Sequence, residues 1–383
     1  MSILSASKRG VKIGNGYRSR EEYQRSVEYF QEQLKIAREI GDRPSEATAN
    51  ANLGIAYQSL GDYQRSVDYF QQQLVIARAI GDRPSEGKAL GNLGIACQEL
   101  GQYQRSVEYF RQELTIARSI GDRPSEGKAL GNLGTAYQSV GEYKVSLDCF
   151  QQQLTIARGV GDRLSEANAL GNLGISYQEL GRYAEAEPLL IEALEMTKQL
   201  LGSAHPYIAS NLNNLAALYK SQGRYAEAEP LYLQALEMRK QLLGSAHPYI
   251  ASSLNNLASL YDALGRYAEA ERLYKEALEM KKRLLGSAHP DVAMSLNNLA
   301  GLYEAQGRYA AEPESLYVEA LTIFDVQLGP EHPHTQTARR NYRLFLQQVV
   351  SENRQGELAN EESLRIISEM EDVAGDKQLT INN

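Results

Sequence analysis

The sequence predicts an all-α protein, a right-handed superhelical solenoid of stacked antiparallel helix pairs. Three observations predict it: a strict internal period, two helix-spaced apolar stripes in each repeat, and the lack of any period-two alternation. The string GDRPSE begins at Gly41, Gly81 and Gly121 and returns as GDRLSE at Gly161, 40 residues apart each time. A second phrase, LGSAHP, places its glycine at Gly202, Gly244 and Gly286, 42 residues apart, and LGPEHP follows 43 residues on at Gly329. The additional residue lies in RYAAEPESLY, Arg308 to Tyr317, where earlier copies read RYAEAE. A chain of 383 residues would ordinarily divide into two or three globular domains. Repetition from about Glu21 to Val350 replaces that expectation with one quasi-linear array, in which each unit buries its apolar face against its neighbours.

The elements follow in order within a unit. Leu53, Tyr57 and Leu60, at i, i+4 and i+7, mark a half-buried first helix. Gly61-Asp62 interrupts it, and Tyr63, Val67, Phe70 and Leu74 then form the stripe of a second helix. Gly81 follows the last periodic residue, at the C′ position where a left-handed backbone favours glycine. Pro84 opens the next helix, where its missing N–H costs little, and Pro206, Pro248, Pro290 and Pro333 take that place later. Gly54, Gly94, Gly134 and Gly174 sit inside first helices, at a cost of about 0.5–1 kcal/mol each relative to alanine. The same slot holds Ala216, Ala258 and Ala300, so the slot predicts a close crossing by the partner helix.

The array changes dialect near residue 200. Residues 21–200 carry the 40-residue period; residues 201–350 carry the 42-residue period and end in a half-repeat. Residues 1–20 hold five basic side chains and no acid and read as a frayed partial helix, with Ile13-Gly14 and Tyr17 in register with Leu53-Gly54 and Tyr57. Residues 351–383 are an acidic tail of net charge −5, in which Leu364, Ile367 and Met370 are helix-spaced. That spacing makes the tail a candidate capping helix for the open end of the solenoid.

Composition removes several functional classes. No stretch approaches the roughly 18 apolar residues of a membrane span, so no membrane insertion is expected. The N-terminus MSILSASKRG has no apolar core of a secretory signal, and two cysteines do not make a disulfide scaffold, which points to a cytoplasmic protein. A pI near 5.4 argues against duplex nucleic acid, whose phosphates call for a basic face. The five histidines, His205, His247, His289, His332 and His334, lie in the later loops. The first four are a repeat apart, too far to share a metal, and read as turn and capping residues. Cys97 and Cys149 take tyrosine slots and read as core. Carboxylate pairs such as Glu185 and Glu187 repeat with the helix surface and read as a solvated face. No phosphate loop and no nucleophile–base grouping occurs, so the expectation is a non-enzyme with no catalytic residue, cofactor or metal.

The phrase Asn-Leu-Gly-x-Ala-Tyr, then Gly-Asp-Tyr, then Phe and Leu on the second helix, resembles the tetratricopeptide repeat. The 40-residue block looks like the variety found in Pins/LGN-type scaffolds. The 42-residue block, SLNNLAxLYxAxGRYAEAExLYxxALEM, is similar to that of kinesin light chains. The repeat usually has a small residue late in its second helix; here Gln73, Glu113 and Gln153 stand there, with Ala193, Ala235 and Ala277 in later units.

On each first helix a polar stripe lies beside the buried one. In successive units it reads Thr48-Asn52-Ile55-Ser59, Lys88-Asn92-Ile95-Glu99, Lys128-Asn132-Thr135-Ser139 and Asn168-Asn172-Ile175-Glu179. Ser210-Asn214-Ala217-Ser221, Ser252-Asn256-Ser259-Ala263 and Met294-Asn298-Gly301-Ala305 follow, and Asn341 continues the series. Asparagine is a poorer helix former than Glu, Lys or Gln, but its amide both donates and accepts, which suits an extended peptide backbone. In the two look-alike families this position lines the concave groove and clamps the main chain of a bound peptide. The resemblance therefore assigns Asn52, Asn92, Asn132, Asn172, Asn214, Asn256 and Asn298 to peptide binding, with Lys88, Lys128, Asn168, Glu99 and Glu179 choosing side chains. The alternative at this position is that each asparagine bonds the backbone of the adjacent unit and only fixes stacking.

The expected function is a protein–protein interaction scaffold or adaptor with a partner peptide in its concave groove. Two other classes remain open: a self-associating structural solenoid built by head-to-tail contact of basic and acidic ends, and a regulatory subunit of a partner enzyme or transcription factor.

Overall fold

The computed structural model describes residues 20–308, 311–360 and 363–368. Among these residues the chain forms sixteen α-helices of full length, one 3-10 turn, a further helical run over residues 363–368 and no strand. In chain order they are α1 (Arg20–Glu39), α2 (Arg43–Ser59), α3 (Tyr63–Ile80), α4 (Arg83–Glu99), α5 (Tyr103–Ile120), α6 (Arg123–Ser139), α7 (Tyr143–Val160) and α8 (Arg163–Glu179). Then come α9 (Tyr183–Leu201), α10 (Pro206–Ser221), α11 (Tyr225–Leu243), α12 (Pro248–Ala263), α13 (Tyr267–Leu285), α14 (Pro290–Ala305), α15 (Ala311–Gln327) and α16 (Pro333–Ser351). Even-numbered helices are the first helices of their units and odd-numbered ones the second, the all-helical repeat pattern that the period implies. Apart from Arg20, the partial helix expected over residues 1–20 lies outside the described residues. The chain divides into two compact units, Met1–Ser85 and Glu86–Asn383.

The repeated phrases prove to be helix punctuation. Asp42, Asp122 and Asp162 each accept a hydrogen bond from the backbone N–H three residues on, the N-cap bond that satisfies a free helical donor. Gly81, Gly121 and Gly161 close the preceding helices in the left-handed region, with φ from 70° to 73°. In the 42-residue units the cap is a histidine: Nδ1 of His205, His247, His289 and His332 accepts from the N–H two residues later. The capping role expected of these histidines is therefore present in the structure.

GDRPSE also welds units together. In the first compact unit, Glu46 is buried and takes Arg38 from α1 (2.9 Å) and Arg43 from its own first turn (2.6 Å). In the second, Glu126 and Glu166 are held the same way by Arg118 with Arg123 and by Arg158 with Arg163. A carboxylate removed from water keeps its charge at low cost only when cations and N–H donors replace its hydration.

The glycine slot is filled by an aromatic side chain. An added Cβ at Gly54, Gly94 or Gly134 would overlap the ring of Phe70, Phe110 or Phe150, and all three rings are fully buried. Gly174 meets the smaller Leu190. The long residues late in the early second helices also find their room in glycine. Buried Glu113 and Gln153 fill the space that a Cβ on Gly91 and Gly131 would take. In the later units the volumes are exchanged: Asn213 and Asn255 stand in the first helix and buried Ala235 and Ala277 in the second.

In the second unit, consecutive first helices from α6 to α16 touch one another directly as well as their own partners. The far end is covered. Ile367 packs with Tyr317, Tyr342 and Phe345, and the fully buried Glu314 of α15 accepts the backbone N–H groups of Ala359 (2.7 Å) and Asn360 (3.2 Å). Glu314 belongs to the unit that carries the one-residue insertion.

Candidate functional site

The even-numbered helices present the polar stripe on a face that is neither core nor fully solvated. Asn52 is half-buried in the first compact unit, and Asn92, Asn132, Asn172, Asn214, Asn256 and Asn298 are all half-buried in the second. Each follows a buried leucine or alanine by two or three positions along the helix, so the packing that fixes the helix also fixes the asparagine. Of their companions, Lys88, Lys128 and Glu179 are exposed, whereas Asn168 and Glu99 are half-buried.

Among the described residues, the side-chain amides of Asn52, Asn92, Asn172, Asn214, Asn256 and Asn298 form no hydrogen bond. Two members of the series differ: the Asn132 amide nitrogen is buried beside the Glu113 carboxyl and favours its charged form, and Asn341 donates to Asn297 Oδ1 of the adjacent unit (3.4 Å). Polar ties between units are instead made by neighbouring positions. Gln138 donates to Ser176 Oγ (2.9 Å), and Ser176 meets Ser146 Oγ (2.8 Å). Asn211 donates to Thr197 Oγ1 (2.9 Å), and the buried Arg239 reaches Ser253 Oγ (2.6 Å), the Tyr249 carbonyl (2.9 Å) and Ser210 Oγ (3.2 Å). Lys281, also buried, donates to the Asp291 carbonyl (3.2 Å). Burial lowers both cations, and Arg239 falls to about 10.

One carboxyl under this face is strongly perturbed. Burial pushes Glu113 up to about 7, against the smaller opposing pull of the Lys128 ammonium. Glu179 on the stripe itself is also raised by desolvation. On the outer side, the Glu185/Glu187 pattern is more than a solvated face. Arg224 binds Glu187 of the preceding unit (2.8 Å), its own Glu227 (2.8 Å) and the Tyr219 ring, 4.0 Å from the centroid. Arg266 repeats this with Glu229, Glu269 and Tyr261.

Sequence reasoning missed a second role for two histidines. His289 Nε2 donates to the Glu99 carbonyl (2.8 Å) and His332 Nε2 to the Ser139 carbonyl (2.7 Å). The only sequence signal is local: the tyrosines that follow His205-Pro206 and His247-Pro248 become Asp291 and His334. Glu99 thus has its main chain engaged at the stripe's edge. Cys97 and Cys149 are buried, and burial pushes the Cys149 thiol up to about 11. Among the described residues no group of three or more His, Cys, Asp or Glu converges on a point, and no helix is long and apolar enough to cross a membrane.

A family model described as tetratricopeptide repeat matches residues 6–79, 49–119, 125–199, 165–241, 207–283 and 249–312, and a second with the same description matches residues 292–334. No curated protein sequence matches the chain. Among solved structures, a Rap protein complexed with Competence and Sporulation Factor is 14% identical with a TM-score of 0.57; the match covers 87% of this chain and 98% of that one. The apo form of RapI is 16% identical with a TM-score of 0.53, over 78% of this chain and 99% of its own. Repeats of a kinesin light chain from Podosopora anserina are 26% identical with a TM-score of 0.40, over 52% and 96%.

Proposed function

Because the chain belongs to the tetratricopeptide repeat family, we propose that it is a non-catalytic adaptor that holds an extended segment of a partner protein along the asparagine face. The observation that carries this reading is the row of half-buried, unpaired amides at Asn92, Asn172, Asn214, Asn256 and Asn298. A half-buried amide that no protein group engages keeps its donor and acceptor free for a peptide backbone, and each such bond contributes about 1 kcal/mol net. Had these residues served only to fix stacking, their amides would bond the adjacent unit, as that of Asn341 does through Asn297 Oδ1 (3.4 Å). Such bonds come instead from Gln138, Asn211 and Arg239. Side-chain choice falls to the exposed Lys88, Lys128 and Glu179 and to Asn168 and Glu99 at the edge. The head-to-tail reading finds less support, since Leu358, Ile366 and Ile367 already pack on the apolar side chains of α15 and α16.

Affinity capture from native lysate tests the reading. The variant Asn172→Ala, Asn214→Ala, Asn256→Ala keeps its helicity and melting temperature, because none of these three amides makes an intramolecular bond, and it fails to retain the partner that the parent chain retains. Undiminished capture by the triple variant rejects the asparagine face as the binding surface.

A further inference from the structure

Within the second compact unit, two pairs of segments far apart in sequence meet in register. The start of α14 lies on the α4–α5 turn, where His289 Nε2 donates to the Glu99 carbonyl (2.8 Å) and Pro290 packs on Gly101. One unit further on, the start of α16 meets the α6–α7 turn in the same way. There His332 Nε2 donates to the Ser139 carbonyl (2.7 Å), Pro333 packs on Gly141, and the Tyr103 and His332 rings lie 6.1 Å apart. An added Cβ at Gly101 would stand 2.5 Å from Pro290 Cγ, and one at Gly141 would overlap Pro333 Cγ. Glu99 and Ser139 are also the last members of their polar stripes, so this seam runs along the edge of the asparagine face.

The first two copies of the histidine motif show what the last two have gained. His205 and His247 cap their helices through Nδ1, and their rings lean on Tyr207 and Tyr249 at 5.1 and 5.0 Å. Their φ values are −148° and −147°. His289 and His332 keep the same cap but turn to φ −78° and −68°, with Asp291 and His334 in the tyrosine place. The cap fixes the tautomer. An Nδ1 that accepts an N–H leaves the ring proton on Nε2, the nitrogen that faces the carbonyl across the seam. Pro290 and His332 are buried, while Pro206, Pro248, His205 and His247 are half-buried; Pro333 is exposed.

We propose that these four contacts form a clasp that holds the second unit shut on itself, and that its release opens the asparagine face along this edge. The clasp is non-covalent and made of two repeated modules, each joining a helix start to a distant turn, so its opening breaks no contact inside a helix pair. The inference stands on the seam geometry and does not depend on the groove being the partner site.

Distance measurement by double electron–electron resonance on the full chain tests it, with spin labels at Glu108→Cys on α5 and Thr337→Cys on α16, both exposed positions. The native thiols are buried and stay unlabelled. The parent should give one short, narrow distance. Gly101→Asn with Gly141→Asn should shift the distribution to longer and broader distances, while Gly181→Asn with Gly223→Asn should leave it unchanged. The control glycines share the left-handed φ, +71° and +75°, but face open space. A second pair covers misfolding of the first: His289→Ala with His332→Ala should open the clasp, and His205→Ala with His247→Ala, which loses the same caps, should not. A parent-like distribution in both clasp variants, or an equal shift in the controls, overturns the proposal.

Discussion

At the scale of the residue, Glu113 carries the sharpest energetic consequence. Its carboxyl fills the space opposite Gly91 where the neighbouring units place Gln73 and Gln153. The folded chain binds its proton up to about pH 7, whereas an unfolded carboxyl releases it near 4.5. The native state therefore binds more protons than the unfolded state between those values, and stability falls as pH rises through that window. Glu113→Gln should be nearly neutral at pH 4.5 and stabilising by up to roughly 3 kcal/mol at pH 8. Thermal melts of both chains across that range check it; a gap that does not grow with pH contradicts it. That a side chain stands at position 113 was plain from the repeat alignment. That it is buried was not, because the alignment showed a polar residue where the family keeps a small one. Only the three-dimensional pairing with Gly91 reveals the room.

At the scale of the element, the two dialects solve one packing problem with opposite volumes. Two early units put Gly91 and Gly131 in the first helix against Glu113 and Gln153 in the second; the later ones put Asn213 and Asn255 against Ala235 and Ala277. Gly131→Asn alone should clash with Gln153 and cost about 1–3 kcal/mol, and Gln153→Ala alone should leave a void. Made together they should recover part of the loss, and a double-mutant cycle by denaturant unfolding reads the coupling, expected at roughly 0.5–3 kcal/mol. Strict additivity contradicts the exchange. Helices, caps and the glycine slot were legible in the sequence because the determinants are local: Asp42 and Ser45 lie three residues apart, and His205 and Tyr207 two. The arginine ties were not, since Glu187 meets Arg224 from the next unit and nothing in the AEAE string distinguishes that contact from a solvated surface.

At the scale of the whole molecule, the periodic chain implied stacking but not the His289 and His332 seam, whose partners lie 190 and 193 residues away in sequence. Two hydrogen bonds worth about 1 kcal/mol each net make it a modest lock. Acid should weaken it. Burial lowers His332 and His334, so the closed form holds fewer protons than an open one whose imidazoles titrate near 6.5. Closure is therefore favoured above that value and loses ground as pH falls below it. The groups that face the pair are the Tyr103 phenol, held neutral by burial, the carboxylate of Asp291, which opposes the shift at His334 less strongly than His332 promotes it, and Glu99. The label distance between positions 108 and 337 should broaden between pH 7.5 and 5.5; a constant distribution contradicts this.

The asparagine row itself was fully legible, since a residue that never varies among varying companions is visible in one sequence. What needed the structure was that the amides of Asn92, Asn172, Asn214, Asn256 and Asn298 are half-buried and unpaired while Asn50 and Asn211 are bonded within the fold. Side-chain amide resonances of asparagine-labelled chain, recorded as the captured partner is added, test the central claim most directly. Asn132, Asn172, Asn214 and Asn256 should shift on complex formation while Asn50 and Asn211 stay in place. A complex that forms with the row unmoved would contradict it.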